Sequence, residues 1–131
     1  MNTKAINPWT WQDRFGFSQA IELTGAQRIL YCAGQTSVDD QGSPVAVGDM
    51  AGQISQALTN LERVLGAAEM GLKNVVRLNY YTTDVDAFGA AAGVLGMRLA
   101  EAGCKPSATL LGVARLFHPD ILVEIEATAA S

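Results

Sequence analysis

No run of lysine or arginine occurs anywhere in the chain, and acidic residues outnumber basic ones 13 to 9, leaving a net charge of −4. A surface that follows a nucleic-acid backbone needs clustered cations to neutralise phosphates, so a nucleic-acid partner is not expected. No apolar stretch reaches the ~18 residues a bilayer crossing needs, and residues 1–11 lack the apolar centre of a secretory leader. No membrane partner is expected, and the cytoplasm is the expected compartment. Cysteine is scarce: Cys32 and Cys104 stand in no metal-ligand spacing and read as reduced thiols of a cytoplasmic protein. There is a single histidine, His118, and no Ser–His–Asp set, phosphate-cradling glycine loop or metal-type cluster, so neither a metal nor a cofactor is expected. No repeat, linker or low-complexity tract divides the 131 residues, and 1–131 is expected to form a single domain.

What is present is regular periodicity. Apolar residues make up 49% of the chain and charged ones 17%, a globular balance whose low charge hints at a surface covered by a partner subunit. The spacing predicts a helix over 49–70, with Met50, Ile54, Ala57, Leu58, Leu61, Val64, Leu65 and Ala68 on one stripe. Asp49 is its expected N-cap and Gly71 its left-handed stop; Gln53, Gln56, Asn60, Glu62 and Arg63 are expected to face solvent. A second helix is predicted over 85–102, capped by Asp84 or Asp86, buried through Phe88, Ala91, Leu95, Leu99 and Ala102, and ended by Gly103 and Pro106. Gly89, Gly93 and Gly96 within it read as sites of close packing on a sheet.

The rest reads as strands. Segments 18–23 and 28–33 flank a Thr24-Gly25-Ala26 turn, 74–83 is rich in Val, Tyr and Thr, and 107–116 and 121–129 flank a loop at Phe117-His118-Pro119-Asp120. The first and last pairs are expected to be hairpins. The order β-β-α-β-α-β-β predicts an α+β fold, a mixed β-sheet with two helices on one face. Alternation puts Ile121, Val123, Ile125 and Ala127 toward the helices and Glu124 and Glu126 on the other face. In the preceding strand, Ala108, Leu110 and Leu116 share one face; left without helices, it would expose an apolar patch that an oligomer would bury.

Several stretches resemble the RidA (YjgF) family. Gly16-Phe17-Ser18-Gln19-Ala20 is similar to its opening Gly-Pro-Tyr-Ser-Gln-Ala, Ala33-Gly34-Gln35 to its Ser-Gly-Gln turn, and Val75-Val76 through Thr83-Asp84 to its central strand. Pro106, Val113-Ala114-Arg115-Leu116 and Val123-Glu124-Ile125-Glu126-Ala127 resemble its closing Pro-Ala-Arg-Ser, Val-Ala-Arg-Leu and Ile-Glu-Ile-Glu-Ala. The resemblance implies a chorismate-mutase-like fold, a homotrimer, and a small-molecule ligand in clefts at the subunit interface. The family's best-known activity is hydrolysis of 2-imino acids, such as 2-iminopropionate, to a keto acid and ammonia. That chemistry needs a cation for the substrate carboxylate, ideally a bidentate arginine, and a group that moves protons as water adds to the C=N carbon.

The chain departs from the pattern where the cation belongs. Ala108 stands at the arginine position, Leu110 at the cysteine, Phe17 at the tyrosine, Ala33 at the serine and Ala92 at the asparagine; Gly34 and Glu124 keep the pattern. Glu124 is the expected catalytic carboxylate, as general acid, base or ligand anchor, and Phe17, Ala33, Gly34, Ala92, Ala108 and Leu110 are the expected substrate-binding residues. Such a cleft suits a neutral or cationic, apolar ligand. The expected function is a RidA-like protein hydrolysing or tautomerising an imine, an enamine or another small metabolite; the alternatives are a non-catalytic metabolite binder and a structural trimer. Arg14 and Lys105 flank the cleft positions as substitute cations. Arg115 is expected on the opposite strand face as an ion-pair partner, and His118 in a surface loop. Trp9 and Trp11 are expected to anchor the N-terminal arm, or else to wall the cleft.

Overall fold

The computed structural model describes residues 1–131. The elements follow in order as β1 (Asn2–Ile6), β2 (Ala20–Thr24), β3 (Ile29–Tyr31), β4 (Gln35–Thr36), α1 (Met50–Ala67), β5 (Val75–Thr82), α2 (Val85–Glu101), β6 (Ser107–Gly112) and β7 (Val123–Ala130). No helix is long and apolar enough to cross a membrane.

Helix α1 starts where the carboxylate of Asp49 accepts the Gly52 N–H at 2.9 Å, satisfying one of the unpaired first-turn donors. Its stripe of Ile54, Ala57, Leu58, Leu61 and Leu65 is fully buried, while Val64 stays partly exposed. Gln53, expected to face solvent, is instead fully buried. Its amide donates to the Asp120 carbonyl at 2.8 Å and the Ala46 carbonyl at 3.3 Å, and accepts the Leu122 N–H at 2.8 Å. A polar residue belongs here because a strand must be fastened, which helical spacing alone does not reveal. Gly71 is not the left-handed stop: it is extended at φ −142°. Glu69 takes the left-handed turn at φ 59°, and the Met70 N–H closes on the Leu65 carbonyl at 2.9 Å.

Helix α2 is capped by Asp84, which accepts the Ala87 N–H at 3.0 Å, and is followed by Gly103 at φ 65°. Phe88, Leu95 and Leu99 are buried, with Ala91 and Ala102 packed beside them. Gly89, Gly93 and Gly96 do not mark close packing on the sheet. A Cβ at any of them would meet nothing within 4 Å.

Both expected hairpins are absent. The main sheet runs β3-β7-β5-β6, with β4 also on β7. The crossover β5–α2–β6 makes a parallel pair, and β7 lies antiparallel on the other side of β5. The loop before β7 therefore carries the chain across β5 instead of turning back on β6, which ends at Gly112. At the start of the chain, β2 pairs with β1 in a separate two-stranded sheet, and β3 pairs with the end of β7. Strand β1 escaped the periodicity argument because Asn2-Thr3-Lys4-Ala5-Ile6 carries no apolar alternation, and all of it is exposed. The core joins both helices to Val75, Leu78 and Tyr80 of β5 and Val123, Ile125, Ala127 and Ala129 of β7. The mixed sheet with two packed helices is as the sequence implies.

Candidate functional site

Strand register decides which candidate residues meet. Leu78 pairs with Ala108 and Ala127, and Tyr80 with Leu110 and Ile125. Paired residues share a sheet face, so Ala108 and Leu110 face the helix side, under α2. This corrects the expectation of a helix-free face for Leu110. The small residues of α2 do not fill the space above them, and a cavity of about 540 Å³ opens there. Phe17, Ala92, Ala108 and Leu110 line it together, with Tyr80 and Lys105. Four of the expected substrate-binding residues thus converge, and the surface they make is carbon.

The other expected residues lie elsewhere. Tyr81 pairs with Glu124 and Leu111, which puts Glu124 on the face away from the helices. Ala33 is exposed, and Gly34 lies directly against Glu124: a Cβ at Gly34 would fall on the Glu124 carboxylate. Glycine is required there for close approach. On the same face Glu126 accepts the Asn79 amide at 2.9 Å and the Tyr81 hydroxyl at 3.1 Å. Arg77 donates to the Thr109 hydroxyl at 2.7 Å. Partial burial, and then the neighbouring Glu126 charge, push the Glu124 pKa above its usual value. Within one chain, the sheet separates this carboxylate from the cavity.

A raised carboxylate pKa means that the folded state holds its proton more tightly than the unfolded chain does. Its destabilising contribution is therefore absent below the usual pKa of 4.5 and grows as pH rises through the folded value. Glu124→Gln is expected to raise the melting temperature near pH 7, with the gain vanishing near pH 4. Equal gains at both pH values in a thermal scan would refute this.

Among the cations, Lys105 borders the cavity. Arg14 lies over the Phe15 ring, 4.6 Å from its centroid. Arg115 follows the end of β6, so strand alternation does not apply to it. It takes part in no ion pair; its side chain turns to the Leu116 carbonyl at 3.5 Å. Trp9 and Trp11 stack on one another with ring centroids 6.4 Å apart, and Trp11 meets the edge of Phe17 at 5.9 Å. Trp11 thus backs the Phe17 wall, and neither indole lines the cavity. His118 caps its own loop, its Nδ1 accepting the Asp120 N–H at 3.0 Å. Both thiols are free and buried, and burial pushes Cys104 up to about 11. Sequence reading passed over Tyr80, although alternation along Leu78, Tyr80 and Thr82 would have turned it toward the helices.

This geometry sits on a fold found elsewhere. The family model described as Endoribonuclease L-PSP matches residues 12–131. The chain belongs to this family, the RidA (YjgF) family its motifs resemble. The RutC family protein PH0854 of Pyrococcus horikoshii is 34% identical over 113 residues, 86% of this chain and 85% of that one. The crystal structure of the Rid family protein YyfB of Yersinia pestis superposes with a TM-score of 0.86 at 35% identity, covering all of both chains. The 2-iminobutanoate/2-iminopropanoate deaminase of Mus musculus is 32% identical over 73 residues, 56% of this chain and 52% of that one.

Proposed function

We propose that this RidA-family protein binds and processes a neutral or cationic, largely apolar small molecule, and not the small anionic imino acid of the family's best-known activity. The observation that carries this reading is the cavity lined by Phe17, Ala92, Ala108 and Leu110, which presents carbon where the family motifs carry a tyrosine, an asparagine, an arginine and a cysteine. An anion moved from water into such a lining loses its hydration without a charge-assisted hydrogen bond in return. The murine relative is named for deaminating 2-iminobutanoate and 2-iminopropanoate, so imine or enamine hydrolysis is the reaction class to assay first. Glu124 is the proton-handling group. Because the sheet separates it from the cavity in one chain, a cleft holding both requires a second copy. A homotrimer, with three such clefts, meets that requirement, and its chains would cover the open sheet face.

Calorimetric titration against 2-oxobutanoate, benzamide and benzylamine tests the ligand class. Benzamide or benzylamine is expected to bind more tightly than the oxo acid, by roughly tenfold or more, the size of one missing charge-assisted contact. Selective tight binding of 2-oxobutanoate overturns the reading. Should a substrate be found, Glu124→Gln is expected to abolish turnover and leave the fold intact; unchanged turnover removes the carboxylate from the mechanism.

A second reading rests on Lys105, which borders the cavity and whose ammonium group would offer an anion a point charge in place of the missing arginine. It predicts that 2-oxobutanoate binds and that Lys105→Met abolishes that binding.

A further inference from the structure

Tyr80 is the polar group inside the apolar cavity that neither the family motifs nor the proposed mechanism uses. It sits mid-strand on β5 between Leu110 and Ile125 and is only 7% exposed. Its ring is held against Phe88, with centroids 5.6 Å apart and planes at 42°. A hydroxyl that is buried usually finds a partner, since losing water without one is unfavourable. The Tyr80 hydroxyl makes no hydrogen bond to the protein. Yet no fully enclosed side-chain polar atom in the chain lacks a partner, so this oxygen reaches open space. The cavity is the space Tyr80 borders.

The rest of the cavity leaves the role of anchor to this group. The Cys104 thiol is turned to the Val75 carbonyl at 3.6 Å. Lys105 is exposed at the border, and the side chains of Phe15, Phe17, Ala92 and Leu110 carry no polar atom. Across from the sheet, Gly89 and Gly96 of α2 line the cavity and leave room that any larger side chain would occupy. Burial, and to a lesser extent Cys104, push the Tyr80 pKa well above its ordinary value, so the hydroxyl keeps its proton and can donate it.

We propose that the Tyr80 hydroxyl is the specificity-determining anchor of this cavity, donating a hydrogen bond to a carbonyl or imine acceptor on an otherwise apolar, uncharged ligand. This rests on the reading of the cavity as the ligand site. It adds the recognition element that distinguishes a ketone or imine from a plain hydrocarbon of the same shape, because a site built around a buried donor rejects a ligand that leaves the donor unpaired.

Acetophenone and ethylbenzene are near-isosteric probes that differ at the acceptor. Calorimetric titration of the wild-type protein is expected to favour acetophenone by roughly 3–10-fold, the range of one neutral hydrogen bond. In Tyr80→Phe that preference is expected to disappear, with ethylbenzene affinity unchanged. Infrared spectroscopy of carbonyl-labelled acetophenone bound to the wild-type protein is expected to show the carbonyl stretch lowered relative to the same probe in hydrocarbon, a readout that needs no variant to fold. Equal binding of the two probes by the wild-type protein, a preference that survives in Tyr80→Phe, or an unshifted stretch overturns the role of Tyr80 and leaves the cavity reading standing. Binding of neither probe to the wild-type protein overturns both.

Discussion

Gln53→Ala is expected to destabilise the fold by roughly 2–4 kcal/mol, the combined effect of buried polar groups left unpaired. The side chain is fully enclosed and joins α1 to the segment before β7. It accepts the Leu122 N–H at 2.8 Å and donates to the Asp120 carbonyl at 2.8 Å. Truncation orphans both backbone groups and leaves a void where the fully enclosed side chain stood. Leucine at this position restores much of the volume but not the hydrogen bonds, so Gln53→Leu is expected to remain markedly destabilised. Urea unfolding gives the measurement: a lower midpoint with an unchanged slope reports lost stability, and a midpoint within experimental scatter of wild type would show that water replaces the amide. Glu124 lies two residues beyond Leu122 on the strand this amide fastens, so the same change is expected to loosen the strand that carries the carboxylate.

Ala108→Arg is expected to strengthen the protein's grip on 2-oxo acids. Ala108 borders the cavity beside Leu110, and about 540 Å³ of open space lies in front of a side chain placed there. A hydrogen bond to a charged group contributes about 1.5–3 kcal/mol, so the affinity for 2-oxobutanoate is expected to rise roughly 10–100-fold. Binding of neutral aromatic probes is expected to weaken as the guanidinium occupies the apolar lining. Parallel calorimetric titrations of variant and wild type check both directions. An unchanged 2-oxobutanoate affinity in a folded variant would mean that position 108 does not face the ligand, and the residue-by-residue match to the family motif would fail with it.

The two changes test different levels of organisation, and the levels were not equally legible in the sequence. The core stripes of α1 and α2, the Asp49 and Asp84 caps and the alternation of β7 were readable because each is a local pattern: a period of 3.6 or 2, or a side chain reaching its own next turn. Gln53 broke the pattern because its partners lie 67 and 69 residues away, where no local signal extends. The glycines of α2 predict contact with the sheet and instead leave open space. A missing side chain serves equally to admit a neighbour or to leave a space, and only the packing distinguishes the two. The hairpins failed for the same reason. Adjacent strands with a turn between them are the simplest pairing, but β2 is taken by β1 and β3 by β7, while β5 lies between β6 and β7 and its two ladders replace the local one.

By itself the sequence determined the helices, the mixed α+β class and the family, and it showed apolar residues at Phe17, Ala33, Ala92, Ala108 and Leu110 where the resemblance implies polar ones, because these are matters of residue identity and short-range pattern. Only the tertiary structure decided that Ala108 and Leu110 face α2 while Glu124 faces the opposite way, that Gly34 lies against that carboxylate, and that Tyr80 opens into the cavity. Which face a strand residue occupies depends on the register of its neighbours across the sheet, and register is set by contacts between residues far apart along the chain.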